Sequence, residues 1–304
     1  MKNFIKNLLV KNHFWWLFWV VFLLAIILAG YGGYLSHLKN YSAQKSEFNL
    51  EPLSEPIEAM AYLVGDIDNN KILLSRNEEM HFFPASLSKL MTAEIVIDNI
   101  PLEQEIKISN YAISAEGEEG NLKAGEILTT KDLLKILLIS SSNDAALALA
   151  ENIRGGEKTF VDFMNAKAKQ LGLFSTAFFG PTGVDRKGNF TTAKDLFLLA
   201  QDIYQHYPLL GEITRKMQET VVSSDGQIIH SLTNTNILVG ELPDLWLGKT
   251  GSTPDARDCL LTIFEFPFKD DKISIAIIVL NSNDRFGDTI KLYNWIRHNL
   301  TINQ

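Results

Sequence analysis

Hydrophobic periodicity changes twice along this chain, and the order of those changes restricts its fold more than any other feature. Residues 61–67 and 71–75 are apolar, strand-like runs that flank Asp68-Asn69-Asn70, the turn chemistry of a hairpin. From Leu87 to about Tyr207 the spacing becomes helical. Thr129-Thr130-Lys131-Asp132 reads as a capping box before Leu133, Leu134, Ile136, Leu137 and Leu138, and Thr192-Ala193-Lys194-Asp195 repeats the device before Leu196, Leu198 and Leu199. Between the two, Phe160, Phe163, Met164, Ala168 and Leu171 recur at helical spacing and stop at Gly172. After Lys216 strand patterns return, at 220–222 and 227–230 around Ser223-Ser224-Asp225-Gly226, then at 245–249, 259–266 and 273–280, before a last helix over about 289–299. Strands at both ends with helices between them predict one sheet assembled from the N- and C-terminal segments, in an α+β domain with an inserted helical subdomain.

The N-terminal residues are different in kind. Lys2, Lys6 and Lys11 precede a stretch without charge over 14–35, and no acidic residue occurs before Glu47. The stretch is long enough to span a bilayer, and Trp15, Trp16, Trp19, Tyr31 and Tyr34 sit where interfacial anchors belong. The lysine bias predicts a cytoplasmic N-terminus over 1–13, a single-pass transmembrane anchor over 14–35, a polar tether over 36–56 and an extracytoplasmic domain over 57–304, which places the protein in the cell membrane. A cleaved signal peptide is the competing reading, but Gly30-Tyr31-Gly32 is a poor cleavage site. Either way the remainder is exported.

Composition removes several classes of function. A net charge of −8 and a pI near 5.3 leave no concentrated basic face for a phosphate backbone, so no nucleic-acid partner is expected. The single cysteine, Cys259, excludes an internal disulfide, and its run Cys259-Leu260-Leu261-Thr262-Ile263-Phe264 reads as core. His13, His37, His81, His206, His230 and His298 show no ligand spacing, so neither metal nor other cofactor is expected.

Three short segments carry chemistry. Pro84-Ala85-Ser86-Leu87-Ser88-Lys89 opens an apolar helix, which puts Ser86 in the first turn, where unsatisfied N–H groups favour developing negative charge, and Lys89 on the same face. A serine hydroxyl needs a base, and a lysine can serve only if burial or a nearby cation brings its pKa down from about 10.4. Ser140-Ser141-Ser142-Asn143-Asp144 lies between two helical runs; it can be a plain helix cap, or Ser141 can relay a proton and Asn143 orient substrate or Lys89. Leu247-Gly248-Lys249-Thr250-Gly251 is a strand ending in glycine, where Lys249 is either merely solvated or, with Thr250, set to bind a carboxylate while the strand edge pairs with an extended substrate. Each segment alone has an ordinary structural reading. Their conjunction decides.

Ser-x-x-Lys, Ser-Asp-Asn and Lys-Thr-Gly together are the signature of penicillin-binding proteins and class A β-lactamases, and this chain has all three when the second is relaxed to Ser-x-Asn. The stretch from Pro84 to Thr92, Ser142-Asn143-Asp144-Ala145-Ala146, Asn234-Thr235-Asn236, Pro181-Thr182-Gly183-Val184-Asp185 and the Lys-Thr-Gly strand resemble the D-alanyl-D-alanine carboxypeptidases of the low-molecular-weight penicillin-binding proteins. The resemblance runs from about Ala59 to Trp295. It implies an antiparallel sheet flanked by helices, a peptidoglycan stem peptide as substrate and β-lactams as covalent inhibitors. It further implies Ser86 as acylated nucleophile, Lys89 as base, Ser141 and Asn143 in the proton network, and Lys249, Thr250 and Gly251 on the strand that holds the terminal carboxylate. The N–H groups of Ser86 and Ser252 would form the oxyanion hole, and Arg285 would add a carboxylate contact.

The chain departs from the family in three places. Ser141-Ser142-Asn143 replaces the common Ser-Gly-Asn and keeps both functional side chains. Ala256-Arg257-Asp258 replaces the usual Ala-Gly before an aromatic, which changes the charge of the rim. Many members also carry a C-terminal β-domain with an amphipathic anchor, whereas here the N-terminal segment is expected to anchor the protein. A class A β-lactamase would need a Glu-x-x-Leu-Asn string between the second and third motifs, which does not occur. A peptidoglycan DD-endopeptidase would use the same machinery, and a non-catalytic penicillin-binding sensor would be marked by loss of Ser86, Lys89 or Lys249.

Overall fold

The computed structural model describes residues 50–117, 120–185 and 187–303, and within them one compact unit begins at Glu51. The expected anchor over 14–35 lies outside the described residues, and among those described no helix is long and apolar enough to cross a membrane. The last residues of the expected tether are packed rather than free. The Glu51 N–H donates to Asn299 Oδ1 at 2.6 Å, Trp295 Nε1 donates to the Glu51 carbonyl at 2.8 Å, and Lys291 Nζ to the Pro56 carbonyl at 3.0 Å.

In chain order the elements are β1 (Ala61–Asp66), β2 (Lys71–Arg76), a 3-10 turn (Ala85–Leu87), α1 (Ser88–Asn99), β3 (Glu105–Lys107), β4 (Ile127–Thr129), α2 (Thr130–Ile139), α3 (Asn143–Glu151), α4 (Gly156–Gln170), α5 (Ala193–His206), α6 (Pro208–Thr214), β5 (Gln218–Val222), β6 (Ile229–Thr233), β7 (Leu245–Thr253), β8 (Arg257–Phe268), β9 (Asp271–Ser282) and α7 (Arg285–Ile302). Five strands form one antiparallel sheet in the order β2-β1-β9-β8-β7. The N-terminal hairpin therefore joins the C-terminal meander through β1 and β9, with Ala61 opposite Leu280 and Asp66 opposite Ile275. This is the sheet that the order of periods implies.

Both faces of the sheet are covered, which is why β8 and β9 read as continuous apolar runs rather than alternating ones. On one face Tyr293 of α7 packs its ring 5.0 Å from Phe264 and 5.2 Å from Phe266. On the other, Phe197 of α5 lies over Gly65, so close that a Cβ there would meet its ring at 2.4 Å. Cys259 is buried in this core and its thiol is pushed up to about 12 by burial, far from reactive.

The helical part departs from the sequence expectation in two ways. Two three-residue strands, β3 and β4, pair within it, too short for a period of two to be seen. The hairpin β5-β6 is also set apart from the main sheet as its own ribbon, with Val222 opposite Ile229. The expected caps form: Thr129 accepts from the Asp132 N–H at 3.1 Å and Thr192 from the Asp195 N–H at 3.0 Å.

Helix α1 is buried on all sides from Ser88 to Val96. It includes Glu94, whose carboxylate has no hydrogen-bond partner among the described residues and lies 3.6 Å from Lys167 Nζ. Burial raises its pKa well above the usual carboxylate range, with Lys167 opposing and Asp202 and Asp98 assisting. An acid whose folded pKa exceeds its unfolded value contributes its full stability below the unfolded pKa, near 4.5, and loses it as pH rises through the folded value. Glu94→Gln is therefore expected to unfold roughly 2–4 °C higher than the native protein at pH 8, the equivalent of about 1 kcal/mol in a domain of this size. The gap should close as the pH is lowered to about 4.5. Thermal melts at both pH values check this, and a lower melting temperature for the variant at pH 8 would show that the Lys167 pair outweighs the burial cost.

Candidate active site

The 3-10 turn that leads into α1 is pressed against β7, the edge strand of the sheet. A Cβ on Gly251 would lie 3.0 Å from Ala85 Cβ and 3.0 Å from the Ser86 nitrogen, so glycine at this point of the strand is what lets the turn approach. The strand does not end at Gly251 as its composition suggests. It continues to Thr253 because Ser252 and Thr253 pair with Asp258 and Arg257. Ala85 adopts φ +47°, a left-handed conformation unusual for a residue with a Cβ, immediately before Ser86.

Within this frame Lys89 Nζ lies 2.8 Å from Ser86 Oγ, 2.6 Å from Asn143 Oδ1 and 2.9 Å from the Thr182 carbonyl. Lys249 Nζ lies 2.8 Å from Ser141 Oγ and 2.8 Å from the Thr250 carbonyl. Both lysines are removed from water, at 0% and 1% exposure, so neither is the solvated side chain that each motif alone allows. The segment between α2 and α3 serves as cap and site together. Ser142 caps α3, accepting from the Ala145 N–H at 3.0 Å, while Ser141, at φ +61°, and Asn143 on either side of it reach the two lysines.

Thr250 Oγ1 is 2.6 Å from Thr235 Oγ1. Ser86, Asn143 and Ser252 line an open cleft of about 480 Å³ together with Gly183, Asp185 and Thr253, whereas Lys89, Ser141, Lys249 and Thr250 are buried. Arg285 stands at the start of α7, its Nη1 donating to the Gly251 carbonyl at 2.9 Å and to Asp258 Oδ1 at 3.1 Å. The departure Ala256-Arg257-Asp258 thus sets a carboxylate against Arg285 beside the Lys-Thr-Gly strand.

Several contributors escaped the motif reading. The Thr182 carbonyl receives Lys89, the Glu116 carbonyl receives Asn143 Nδ2 at 2.6 Å, and Asp185 accepts from Thr253 Oγ1 at 2.7 Å. Pro181-Thr182-Gly183-Val184-Asp185 is visible as part of the resemblance, but the roles of a backbone carbonyl and of Gly183 carry no signature of their own.

A serine whose hydroxyl touches a buried amine, at the mouth of a cleft bordered by a sheet edge, is the arrangement that nucleophilic catalysis by a serine requires. The family model described as D-alanyl-D-alanine carboxypeptidase matches residues 47–284, and the chain belongs to that family. It is 33% identical over 208 residues to the D-alanyl-D-alanine carboxypeptidase DacF of Bacillus subtilis, a match covering 67% of this chain and 53% of that protein. The chain thus spans about half the length of DacF. It is 34% identical over 254 residues to a D-alanyl-D-alanine endopeptidase of Pseudomonas aeruginosa, covering 81% of this chain and 79% of the relative. Among solved structures, a D-alanyl-D-alanine carboxypeptidase of Mycobacterium tuberculosis superposes with a TM-score of 0.73 at 27% identity, over 81% of this chain and 93% of that one.

Proposed function

We propose that this protein is a serine D-Ala-D-Ala carboxypeptidase that removes the terminal D-alanine of peptidoglycan stem peptides, held at the outer side of the cytoplasmic membrane by residues 14–35. The observation that carries the reading is the set of partners around Lys89. Asn143 Oδ1 and the Thr182 carbonyl are acceptors, so a neutral amine can give its two N–H groups to them and turn its lone pair to the Ser86 hydroxyl. Burial of the amine favours that neutral form.

In this scheme Ser86 Oγ attacks the carbonyl carbon of the penultimate D-Ala while Lys89 takes its proton. Negative charge develops on the carbonyl oxygen, which the N–H groups of Ser86 and Ser252 are suited to hold. Collapse breaks the C–N bond and the amine of the terminal D-Ala leaves with the proton that Lys89 took from Ser86, Ser141 being the candidate relay. Lys89, neutral again, then takes a proton from the water that attacks the Ser86 ester and returns it to Ser86 Oγ as the acid leaves. Lys249, Thr250 and Arg285 are the carboxylate-binding candidates, with Asp258 restraining Arg285. A β-lactam enters the same route, but its leaving amine stays tethered in the acyl group, so the ester is released slowly.

Endopeptidase activity is the second reading, favoured by the similarity to the Pseudomonas aeruginosa enzyme. The bonds made and broken are the same, and only the group on the leaving amine differs. The full chain in detergent is expected to release D-Ala from a peptide ending in D-Ala-D-Ala and to gain the mass of one penicillin. A penicillin adduct with cleavage of cross-linked muropeptides but no D-Ala release would replace the carboxypeptidase by the endopeptidase, and an adduct with neither activity would leave a sensor.

A further inference from the structure

The turn between β7 and β8 borders the cleft, which Thr253 and Pro254 line. It is fixed from two sides. Asp185 accepts from Thr253 Oγ1 at 2.7 Å and from the Asp255 N–H at 3.1 Å, while Asn281 Nδ2 donates to the Ala256 carbonyl at 3.1 Å. Arg257, next to Asp258, and Asn281, next to the Ser282 that pairs with Asp258, hold left-handed backbone without being glycine, at φ +53° and +54°. The pairing of β8 with β9 also shifts register between Asp258 and Leu260. A bulge re-aims a side chain, and strain kept beside a site directs attention to what the strain places. Here it places Asp258, whose Oδ1 lies 3.1 Å from Arg285 Nη1.

The same Nη1 donates to the Gly251 carbonyl at 2.9 Å, and Arg285 Nε is buried without a partner among the described residues. A guanidinium can grip a carboxylate through two parallel N–H bonds. Arg285 is instead held through one nitrogen, by an anion of the protein itself, against the residue that separates Thr250 from Ser252. We propose that Asp258 is a positioning residue that sets substrate specificity: by holding Arg285 it lowers the demand for a free carboxylate on the leaving residue. Peptides whose leaving residue ends in a neutral group, a carboxamide or a further peptide bond, are then accepted as well. The inference rests on the DD-peptidase reading of Ser86 and widens its substrate class. A substrate carboxylate brought to Arg285 shares one cation with Asp258 and meets that residue's charge at close range, which offsets much of the attraction. Thr250 and Lys249 remain as carboxylate partners, so a preference for the free acid survives, but a small one.

The test gives the full chain in detergent two substrates, a peptide ending in D-Ala-D-Ala and the same peptide as its C-terminal amide, and follows release of D-Ala or D-alaninamide to obtain kcat and KM for each. The native protein is expected to favour the free acid by about fivefold or less in kcat/KM, the range of a partly exposed ion pair. Asp258→Asn keeps the shape of the side chain and removes its charge. The preference should then rise by about tenfold, the scale of a charge-assisted hydrogen bond regained, and the gain should lie in a lower KM for the free acid rather than in kcat. Adding Arg285→Met should return the preference to within about twofold of the native value, because the gain runs through that guanidinium. Each result is a ratio between two peptides on one sample, so loss of folded protein cancels. A native preference of about 100-fold or more would overturn the proposal, as would an Asp258→Asn preference within about twofold of native or a gain that survives Arg285→Met. Failure of the underlying reading looks different: neither peptide is cleaved, whether or not penicillin acylates Ser86, which removes the proposal with it.

Discussion

Ser86→Ala is expected to abolish both D-Ala release and the penicillin adduct while leaving the melting temperature within about 2 °C of the native protein. The expectation follows from what the hydroxyl does structurally and chemically. Structurally it contributes one hydrogen bond, to Lys89, and Lys89 keeps Asn143 and the Thr182 carbonyl as partners. Chemically it is the atom to which the acyl group must transfer, and deleting the nucleophile of a serine peptidase costs on the order of 10⁶ in kcat. Intact-mass spectrometry after incubation with benzylpenicillin, paired with a D-Ala assay, measures both losses. A penicillin adduct on the variant at the native rate would move the nucleophile to another residue, with Ser141 the first to examine because its Oγ already contacts Lys249.

How much of this was legible in the sequence depends on whether the cause was local. Caps are local, so Thr129 and Thr192 were readable as the starts of α2 and α5. The three motifs are local too, and the structure brings them together from segments far apart in the chain as two hydrogen-bonded groups, Ser86 and Asn143 around Lys89 and Ser141 and Thr250 around Lys249. The run of β7 past Gly251 was not readable, because Ser252 and Thr253 are held by register with Asp258 and Arg257 rather than by propensity. Glu94 was equally opaque: an acidic residue in a helix reads as a solvated face, and only the surrounding of α1 on every side puts it in the core.

Gly183→Ala should produce the largest loss of stability of any single methyl addition near the site. A Cβ at this position would lie 1.9 Å from the Ala85 carbonyl oxygen and 2.6 Å from its carbon, both backbone atoms that cannot rotate away, and Gly183 itself has φ +86°. Relief requires either the 181–183 loop or the turn at Ala85 to shift. Each option damages the site, since the first withdraws the Thr182 carbonyl from Lys89 and the second moves Ser86. Ala85 is already in a left-handed conformation, so the turn has little room for further adjustment. We expect the variant to lose about 3 kcal/mol or more, the range reached when overpacking is added to backbone strain. Penicillin acylation should also fall by about 10²-fold or more, as a displacement near 1 Å between reacting groups entails. Gly226→Ala supplies the contrast. Gly226 also has a positive φ, +75°, but nothing lies within 4 Å of its Cβ position in the β5-β6 turn. Strain alone there should cost about 1 kcal/mol and leave acylation unchanged. Thermal melts and acylation rates for the two variants separate conformational strain from the collision with Ala85. Native-rate acylation by Gly183→Ala would mean that the nucleophile turn is held by something other than this contact.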